Sequence, residues 1–335
     1  MPTLQDVADA AGVSRSVASR VLTGDSQARV SEATRTRVRE AAEALQYVPS
    51  HRARALRFRR SGAVGLIVPD VTNAVFADMV GGVQDRAREA GMSVLLGQVD
   101  PPPSGHGHLR ELVAEGRVDG VLLQRREDLD DAALAQVLGD DVPVVLINSR
   151  LPGRSGSVVL DDVAGARLAT RHLVELGHER IGHLAGVPHH DTAVRRHQGY
   201  LETMAEAGLT IAPEWVVRAG WEAAAGAAAA HLILGAPRRP TALVVSSVNA
   251  AVGAVSALGR AGVQVPEDMS VVTVLDTWVA QAWNPALTTV RLPLRELGRA
   301  ACGVLIEHLG GTPLRDLVVA DPTPRLVLRE STRAL

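Results

Sequence analysis

The chain has 335 residues, more than one ordinary core holds at ~150 residues per domain, so two domains or three are expected. It is 46% hydrophobic and 21% charged, which excludes a disordered chain, and a formal charge of −2 gives no global pull toward polyanions. The single cysteine, Cys302, excludes an internal disulfide and any cysteine-cluster metal site. No run of about 18 apolar residues is present, and Met1-Pro2-Thr3-Leu4-Gln5-Asp6 is not a basic segment leading into an apolar one, so a cytoplasmic protein without membrane contact is expected. All 35 basic residues are Arg, a codon bias to which no function attaches.

The charge is unevenly placed. Residues 1–60 hold 11 Arg against six acids, a net +5, and residues 61–335 hold 24 Arg against 31 acids, a net −7. The whole surplus comes from Arg52, Arg54, Arg57, Arg59 and Arg60. A short basic segment on an acidic body is the outline of a polyanion-binding arm, with a solvated linker as the alternative.

In chain order, Thr3 caps a first helix with Asp6 three residues on, and Leu4, Val7, Ala8 and Ala11 share one face. Gly12 suits the left-handed turn that ends it. Ser14 caps a second helix carrying Val17, Val21 and Leu22; after the loop Thr23-Gly24-Asp25-Ser26, Ser31 caps a third with Val38, Ala41, Ala42 and Leu45. Tyr47-Val48-Pro49 stops it. Two helices about a tight Gly turn, braced by a third, make a helix-turn-helix unit with a thin core.

From Ser61 the grammar changes. A buried strand is expected at 63–68, followed by a helix through Met79, Val83 and Ala87. Further strands are expected at 93–96, 120–123, 142–147, 181–185, 242–245 and 269–274, with helices such as 164–176 and 191–207 between them. This alternation implies parallel sheets with helices on both faces, and its length favours two lobes.

The residues Thr3-Leu4-Gln5-Asp6-Val7-Ala8, Ala11-Gly12-Val13-Ser14 and Val17-Ala18-Ser19-Arg20-Val21-Leu22 resemble the opening signature of the lactose-repressor/galactose-repressor (LacI/GalR) family of bacterial regulators. The resemblance continues through Val30-Ser31-Glu32-Ala33-Thr34-Arg35, Leu45-Gln46-Tyr47-Val48-Pro49 and Ala53-Arg54-Ala55-Leu56. In the body it runs through Gly65-Leu66-Ile67-Val68-Pro69-Asp70, Leu176-Gly177-His178-Glu179-Arg180-Ile181, Val265-Pro266-Glu267-Asp268-Met269, Leu287-Thr288-Thr289-Val290 and Leu328-Arg329-Glu330-Ser331-Thr332. It therefore covers essentially the whole chain.

This resemblance implies a small all-α helix-turn-helix headpiece at 1–48, a hinge helix or linker at 49–60, and an α/β two-lobed, periplasmic-binding-protein-like core at 61–335 made of two parallel sheets with flanking helices. The N-lobe would hold about 61–160 and 291–321, the C-lobe about 162–289 and 323–335. Three connecting strands would lie near 160–163, 288–292 and 320–323. The implied partners are a near-palindromic double-stranded DNA operator, a small effector such as a sugar or its derivative between the lobes, and a second copy of the chain, as a homodimer or dimer of dimers. No cofactor is implied.

On the DNA side the resemblance makes Arg15 and Ser16 the start of a recognition helix, with Arg20 one turn later. Arg can fork onto guanine O6 and N7, whereas a phosphate contact is the alternative role. Ser14, Ser19, Ser31 and Tyr47 suit phosphate positioning, Thr3, Ala53 and Arg54 complete the set, and Leu56 resembles a wedge inserted into the minor groove at the operator centre. Ser50 stands where many members carry Asn.

On the effector side it implies Asn73 and Phe76 from the N-lobe, Asn148, His190, Arg196 as a forked donor, Trp221 as a stacking platform, Ser247, and Asp276. The alternatives are that Trp221 is core and that Arg196 pairs with an acid. Ser247-Val248 replaces a common Asn-Asp pair, and Thr273-Val274-Leu275-Asp276 replaces a common Gly-Phe-Asp-Asp turn. With Asn148 in place of an Asp, acceptors for sugar hydroxyls are fewer, so the ligand is less hydroxylated or not a sugar. His106-Gly107-His108 reads as a solvated loop rather than a metal site.

A ligand-responsive transcription factor, most simply a repressor, is the expectation. A sugar-transport binding protein is disfavoured by the headpiece, and an enzyme by the lack of a nucleophile elbow, phosphate-cradling loop or paired carboxylates. Whether ligand releases DNA or promotes its binding is open.

Overall fold

The computed structural model describes residues 2–22, 29–47, 60–98, 111–126, 129–138, 143–218 and 220–335. Ser50, Ala53, Arg54, Leu56, most of the basic segment and His106-Gly107-His108 therefore lie outside the described residues. The chain divides into two compact units, Met1–Gly62 and Ala63–Leu335.

The first unit is helical. Helix α1 (Leu4–Ala11) opens on a capping box: the Thr3 hydroxyl accepts from the Asp6 amide at 3.3 Å, and the Asp6 carboxylate accepts from the Thr3 amide at 2.7 Å. Those bonds hold the exposed Asp6 carboxyl below its usual range, the Thr3 backbone bond contributing most. Gly12 ends the helix at φ 64°, the left-handed conformation that glycine adopts without penalty. Ser14 then caps α2 (Arg15–Leu22) by accepting from the Val17 amide at 3.3 Å, and Ser31 caps α3 (Glu32–Ala44) by accepting from the Thr34 amide at 3.3 Å. The core of this unit is Val7, Ala8, Ala11, Ala18, Val21, Val38, Ala41 and Ala42. These small side chains bring little apolar area out of water, so the unit is modestly stabilised.

The second unit is built on two sheets. The first has the order β11-β5-β4-β3-β1-β2, with β1 (Ala63–Val68), β2 (Ser93–Gln98), β3 (Gly120–Gln124), β4 (Val144–Ile147), β5 (Ser157–Leu160) and β11 (Leu317–Val319) all parallel. The second has the order β12-β10-β9-β8-β6-β7, with β6 (Ile181–Ala185), β7 (Val216–Arg218), β8 (Ala242–Val245), β9 (Ser270–Val274), β10 (Thr288–Arg291) and β12 (Arg325–Val327); only β12 runs antiparallel. The inner strands are apolar runs buried throughout, as in β4 and β8, because helices cover both faces. Strand β2 departs from the sequence expectation of burial on both faces: it is an edge strand, and Leu95 and Leu96 are exposed.

The chain passes between the sheets three times. It leaves β5 for α6 (Asp162–Glu175), which packs on the second sheet and on α7 (Asp191–Glu206). It returns from β10 to α11 (Leu294–Leu309), which packs on the first sheet and on α4 (Ala77–Glu89), and it crosses again from β11 to β12. The remaining helices are α5 (Asp131–Leu138), α8 (Ala223–Leu234), α9 (Val248–Arg260) and α10 (Trp278–Ala282). The resemblance suggested connecting strands at these crossings, yet 288–291 is a full member of the second sheet, paired to β9.

Helices α8 and α9 meet backbone to backbone. A Cβ on Gly226 would stand 1.9 Å from the Ala250 carbonyl oxygen, and one on Gly253 would stand 1.8 Å from that of Ala223. Glycine is thus required at this crossing for the helices to close the flank of the second sheet.

In both sheets the order turns back at one strand, at β1 in the first and β6 in the second. In open α/β sheets the crevice at the carboxyl ends beside such a switch is where ligands sit. Here the two crevices face one another.

Candidate DNA-binding face and effector cleft

In the headpiece, Arg15, Ser16 and Arg20 are exposed on α2, while Ala18 and Val21 of the same helix are buried. The helix therefore presents a cationic, hydrogen-bonding face opposite its core face. Among the described residues its first turn carries no acid. Ser14 and Ser31 lie at helix starts with exposed side chains, and Tyr47 is half-buried against the core. The Thr3 hydroxyl is engaged with Asp6 at 2.9 Å as part of the cap.

In the second unit a cavity of about 120 Å³ opens at the carboxyl ends of the strands of both sheets. Pro69 and Asp70 reach it from the end of β1, Gln124 and Arg125 from β3, and Asn148 from β4. Opposite them stand His190, Thr192 and Arg196 at and in α7, Trp221 and Glu222 after β7, Ser247 after β8 and Leu275 after β9. Val75, Phe76, Met79, Leu294 and Leu297 supply an apolar wall, with Asn73 beside it.

The polar geometry is fixed from behind. Arg196 is buried; its Nε donates to Asp162 Oδ1 at 2.7 Å, its Nη1 to the Ser246 carbonyl, and its guanidinium lies 5.5 Å from the Trp221 ring centroid. His190 meets Trp221 edge-on at 5.5 Å. Arg125 is buried too: its Nε donates to the Leu129 carbonyl at 2.8 Å and its Nη1 to Asp131 Oδ1 at 2.7 Å. Burial first, then the positive field of Arg125, pushes the His190 imidazole down to about 4, a hydrogen bond to the Arg125 backbone opposing both. At neutral pH His190 is therefore uncharged.

The two lobes also touch directly beside the cavity. Thr192 Oγ1 donates to the Asn148 carbonyl at 2.6 Å, and Arg195 Nη1 donates to the Leu160 carbonyl at 2.8 Å. Asn148 adopts φ 47°, which Asn tolerates, and its Oδ1 accepts from the Leu160 amide at 3.1 Å.

Residues 3–50 match the family profile "Bacterial regulatory proteins, lacI family", and residues 170–332 match "Periplasmic binding protein-like domain". The HTH-type transcriptional repressor PurR of Haemophilus influenzae is 32% identical over 339 residues, spanning all of both chains. The chain belongs to the LacI family. A solved structure of a LacI family transcriptional regulator from Mycobacterium smegmatis is 59% identical, with TM-score 0.78 over 81% of this chain and 99% of that one. The lac repressor dimer bound to operator and the anti-inducer ONPF is 28% identical, with TM-score 0.80 over 99% of each chain. The protein is accordingly a LacI-family DNA-binding transcriptional repressor with a helix-turn-helix unit and a periplasmic-binding-protein-like effector domain, not an enzyme.

Within this LacI-family regulator, seven of the side chains singled out from sequence border the cavity: Asn73, Phe76, Asn148, His190, Arg196, Trp221 and Ser247. Asp276 is the correction. It does not border the cavity; Thr289 Oγ1 donates to its Oδ1 at 2.9 Å, Arg329 Nη2 to Oδ1 at 2.7 Å and Arg291 to Oδ2. Burial alone would raise its pKa, but these donors outweigh burial and hold it below the usual carboxylate value. Leu275, whose backbone is left-handed at φ 76°, borders the cavity where Asp276 does not.

Arg125, Gln124, Thr192, Asp70 and Glu222 were not singled out. The available signal for Gln124 and Arg125 was their place directly after the apolar run Gly120-Val121-Leu122-Leu123, where a strand end meets a ligand crevice. Among the described residues no group of three or more His, Cys, Asp or Glu is placed to hold a metal ion, and no helix is long and apolar enough to cross a membrane.

Proposed function

We propose that this chain binds a near-palindromic operator as a homodimer or dimer of dimers and that a small effector in the cleft changes its operator affinity. Arg15 and Ser16 read base edges in the major groove, Arg20 supports them, and Ser14, Ser19, Ser31 and Tyr47 position the duplex through phosphates. The basic segment 51–60 contributes salt-dependent affinity and Leu56 the central wedge. The target is an operon for a carbohydrate or related small metabolite.

The observation that carries this reading is the cavity itself, whose walls come from both sheets and whose margin holds the Thr192–Asn148 and Arg195–Leu160 bonds. A molecule touching both walls has differential affinity for different lobe angles, and only such differential affinity lets a ligand shift a conformational equilibrium. Fluorescence anisotropy of a labelled operator, with and without a metabolite panel, tests the coupling: affinity should change at least fivefold with one compound, falling for an inducer and rising for a corepressor. Operator binding that no cleft ligand alters would remove the effector role and leave the DNA role intact.

A further inference from the structure

The charged side chains bordering the cleft are sorted by depth. The two deep ones, Arg125 and Arg196, are both cations and both buried, whereas Asp70 is half-buried and Glu222 is exposed. They come from opposite walls: Arg125 follows β3 of the first sheet, and Arg196 lies on α7 against the second.

Arg125 is incompletely satisfied. With Nε on Leu129 and Nη1 on Asp131, its Nη2 is buried and has no hydrogen-bond partner among the described residues. A buried guanidinium N–H without an acceptor is costly. Its carboxylate partner among the described residues, Asp131, has a side chain 51% exposed, so solvent screens much of that compensation. His190 is in the same condition: its Nδ1 is buried and unpartnered, and it feels the positive fields of both Arg125 and Arg196.

The cleft is correspondingly poor in buried acceptors for a polyhydroxylated neutral ring. Asp276 is withdrawn to Arg291 and Arg329, Leu275 faces the cavity, and the Ser247 hydroxyl donates to the Trp221 carbonyl at 2.8 Å.

We propose that the effector is a small organic anion whose carboxylate or phosphate lies between Arg125 and Arg196. This deepens the cleft reading and rests on it. The anionic group supplies the acceptor that Arg125 Nη2 lacks and bridges two buried cations, one from each wall. Since each lobe contributes one cation, the anion draws the lobes together more strongly than its neutral parent compound.

The test uses the purified full chain in isothermal titration and thermal-shift experiments. The probes are matched sets: glucose, gluconate and glucose 6-phosphate; ribose, ribonate and ribose 5-phosphate; and inorganic phosphate and acetate alone. At least one anion should bind tenfold or more tightly than its neutral parent, the carboxylate and phosphate arms showing which anion fits. Arg125→Gln should abolish that preference, and Arg125→Lys should retain part of it. Because the preference is first read on the unaltered chain, a misfolded variant does not obscure it. Neutral and anionic members binding equally, or no anion binding better than its parent, would overturn the anionic subsite and leave the cleft reading standing. Binding that survives Trp221→Ala and Arg196→Ala unchanged would instead overturn the cleft reading.

Discussion

The hydroxyl of Thr192 donates to the carbonyl of Asn148 at 2.6 Å, joining the first turn of α7 to the end of β4, with both side chains buried. Beside it the guanidinium of Arg195 reaches the Leu160 carbonyl. Neither bond is local in sequence, and together they are side-chain links between the lobes at the margin of the cavity. Thr192→Val keeps the shape and strands the Asn148 carbonyl, so it should cost about 1–3 kcal/mol. It should also change the ligand response of operator binding. Urea denaturation and operator anisotropy check both; a stability change below ~0.5 kcal/mol would show that the bond does not hold the lobes.

Asp276 offers a sharp contrast. Its carboxylate ties β10 and the C-terminal segment to the end of β9 through Thr289, Arg291 and Arg329. Asp276→Ala removes a buried partner from two guanidinium groups, of which Arg291 is 47% exposed and so loses less. The expected cost is about 2–4 kcal/mol of stability. Ligand affinity in the folded fraction should change less than threefold. A large loss of affinity with unchanged stability would put Asp276 back among the ligand-binding residues.

The α8–α9 crossing gives the most severe stability prediction. Gly226→Ala places a methyl 1.9 Å from the backbone oxygen of Ala250, with no flexible side chain to give way. The helices must separate, and destabilisation of about 3 kcal/mol or more is expected, read as a drop in Tm or loss of soluble protein. Retention of the parental Tm would mean that the helices do not pack this closely.

Two buried histidines set a pH dependence. Desolvation, reinforced by nearby positive charge, pushes His183 down to about 3 and His190 to about 4. Both are depressed below the unfolded value of ~6.5, so the unfolded chain takes up protons that the native chain refuses. Stability is therefore complete above pH 6.5 and is lost as pH falls toward 4, by about 1.4 kcal/mol per pH unit for each fully titrating histidine. Urea midpoints at pH 7.5, 6.5 and 5.5 should fall in that order. A flat profile would place these rings in contact with water.

The order of strands and helices was legible because long apolar runs such as Val64-Gly65-Leu66-Ile67-Val68 need a buried strand, and the helix caps Thr3, Ser14 and Ser31 stood at their places. The sheet partners β5, β7, β11 and β12 were not legible by pattern. They have three or four residues each, too few to establish a period, and they exist because a neighbouring strand offers an edge. Within the cleft, Arg196 and Trp221 could be placed by motif. Asp276 could not, because its partners Thr289, Arg291 and Arg329 lie 13 to 53 residues further along the chain, and no single-sequence pattern announces them. Arg125 escaped notice for a related reason: in sequence it is one Arg of 35, and only the structure shows it buried with Nη2 unpartnered.

In the headpiece, Arg15 and Arg20 are exposed on one helix, but only Arg15 opens it. Arg15→Ala should relax base preference at one position of each half-site, at about 1–3 kcal/mol. Arg54→Ala or Arg57→Ala should weaken binding evenly across sequences and reduce the salt slope by ~1. Competition anisotropy against single-base operator variants at several salt concentrations separates the two. An unchanged base preference in Arg15→Ala would mean that α2 is not the reading helix.

The most direct test of the account is selection of genomic DNA fragments by the purified full chain, repeated with the anion panel present. An enriched near-palindrome with a flexible step at its centre is expected, since a twofold dimer presents two α2 helices and one shared wedge, with enrichment that changes when a cleft anion is added. Fragments retained without any common motif, with or without ligand, would contradict it.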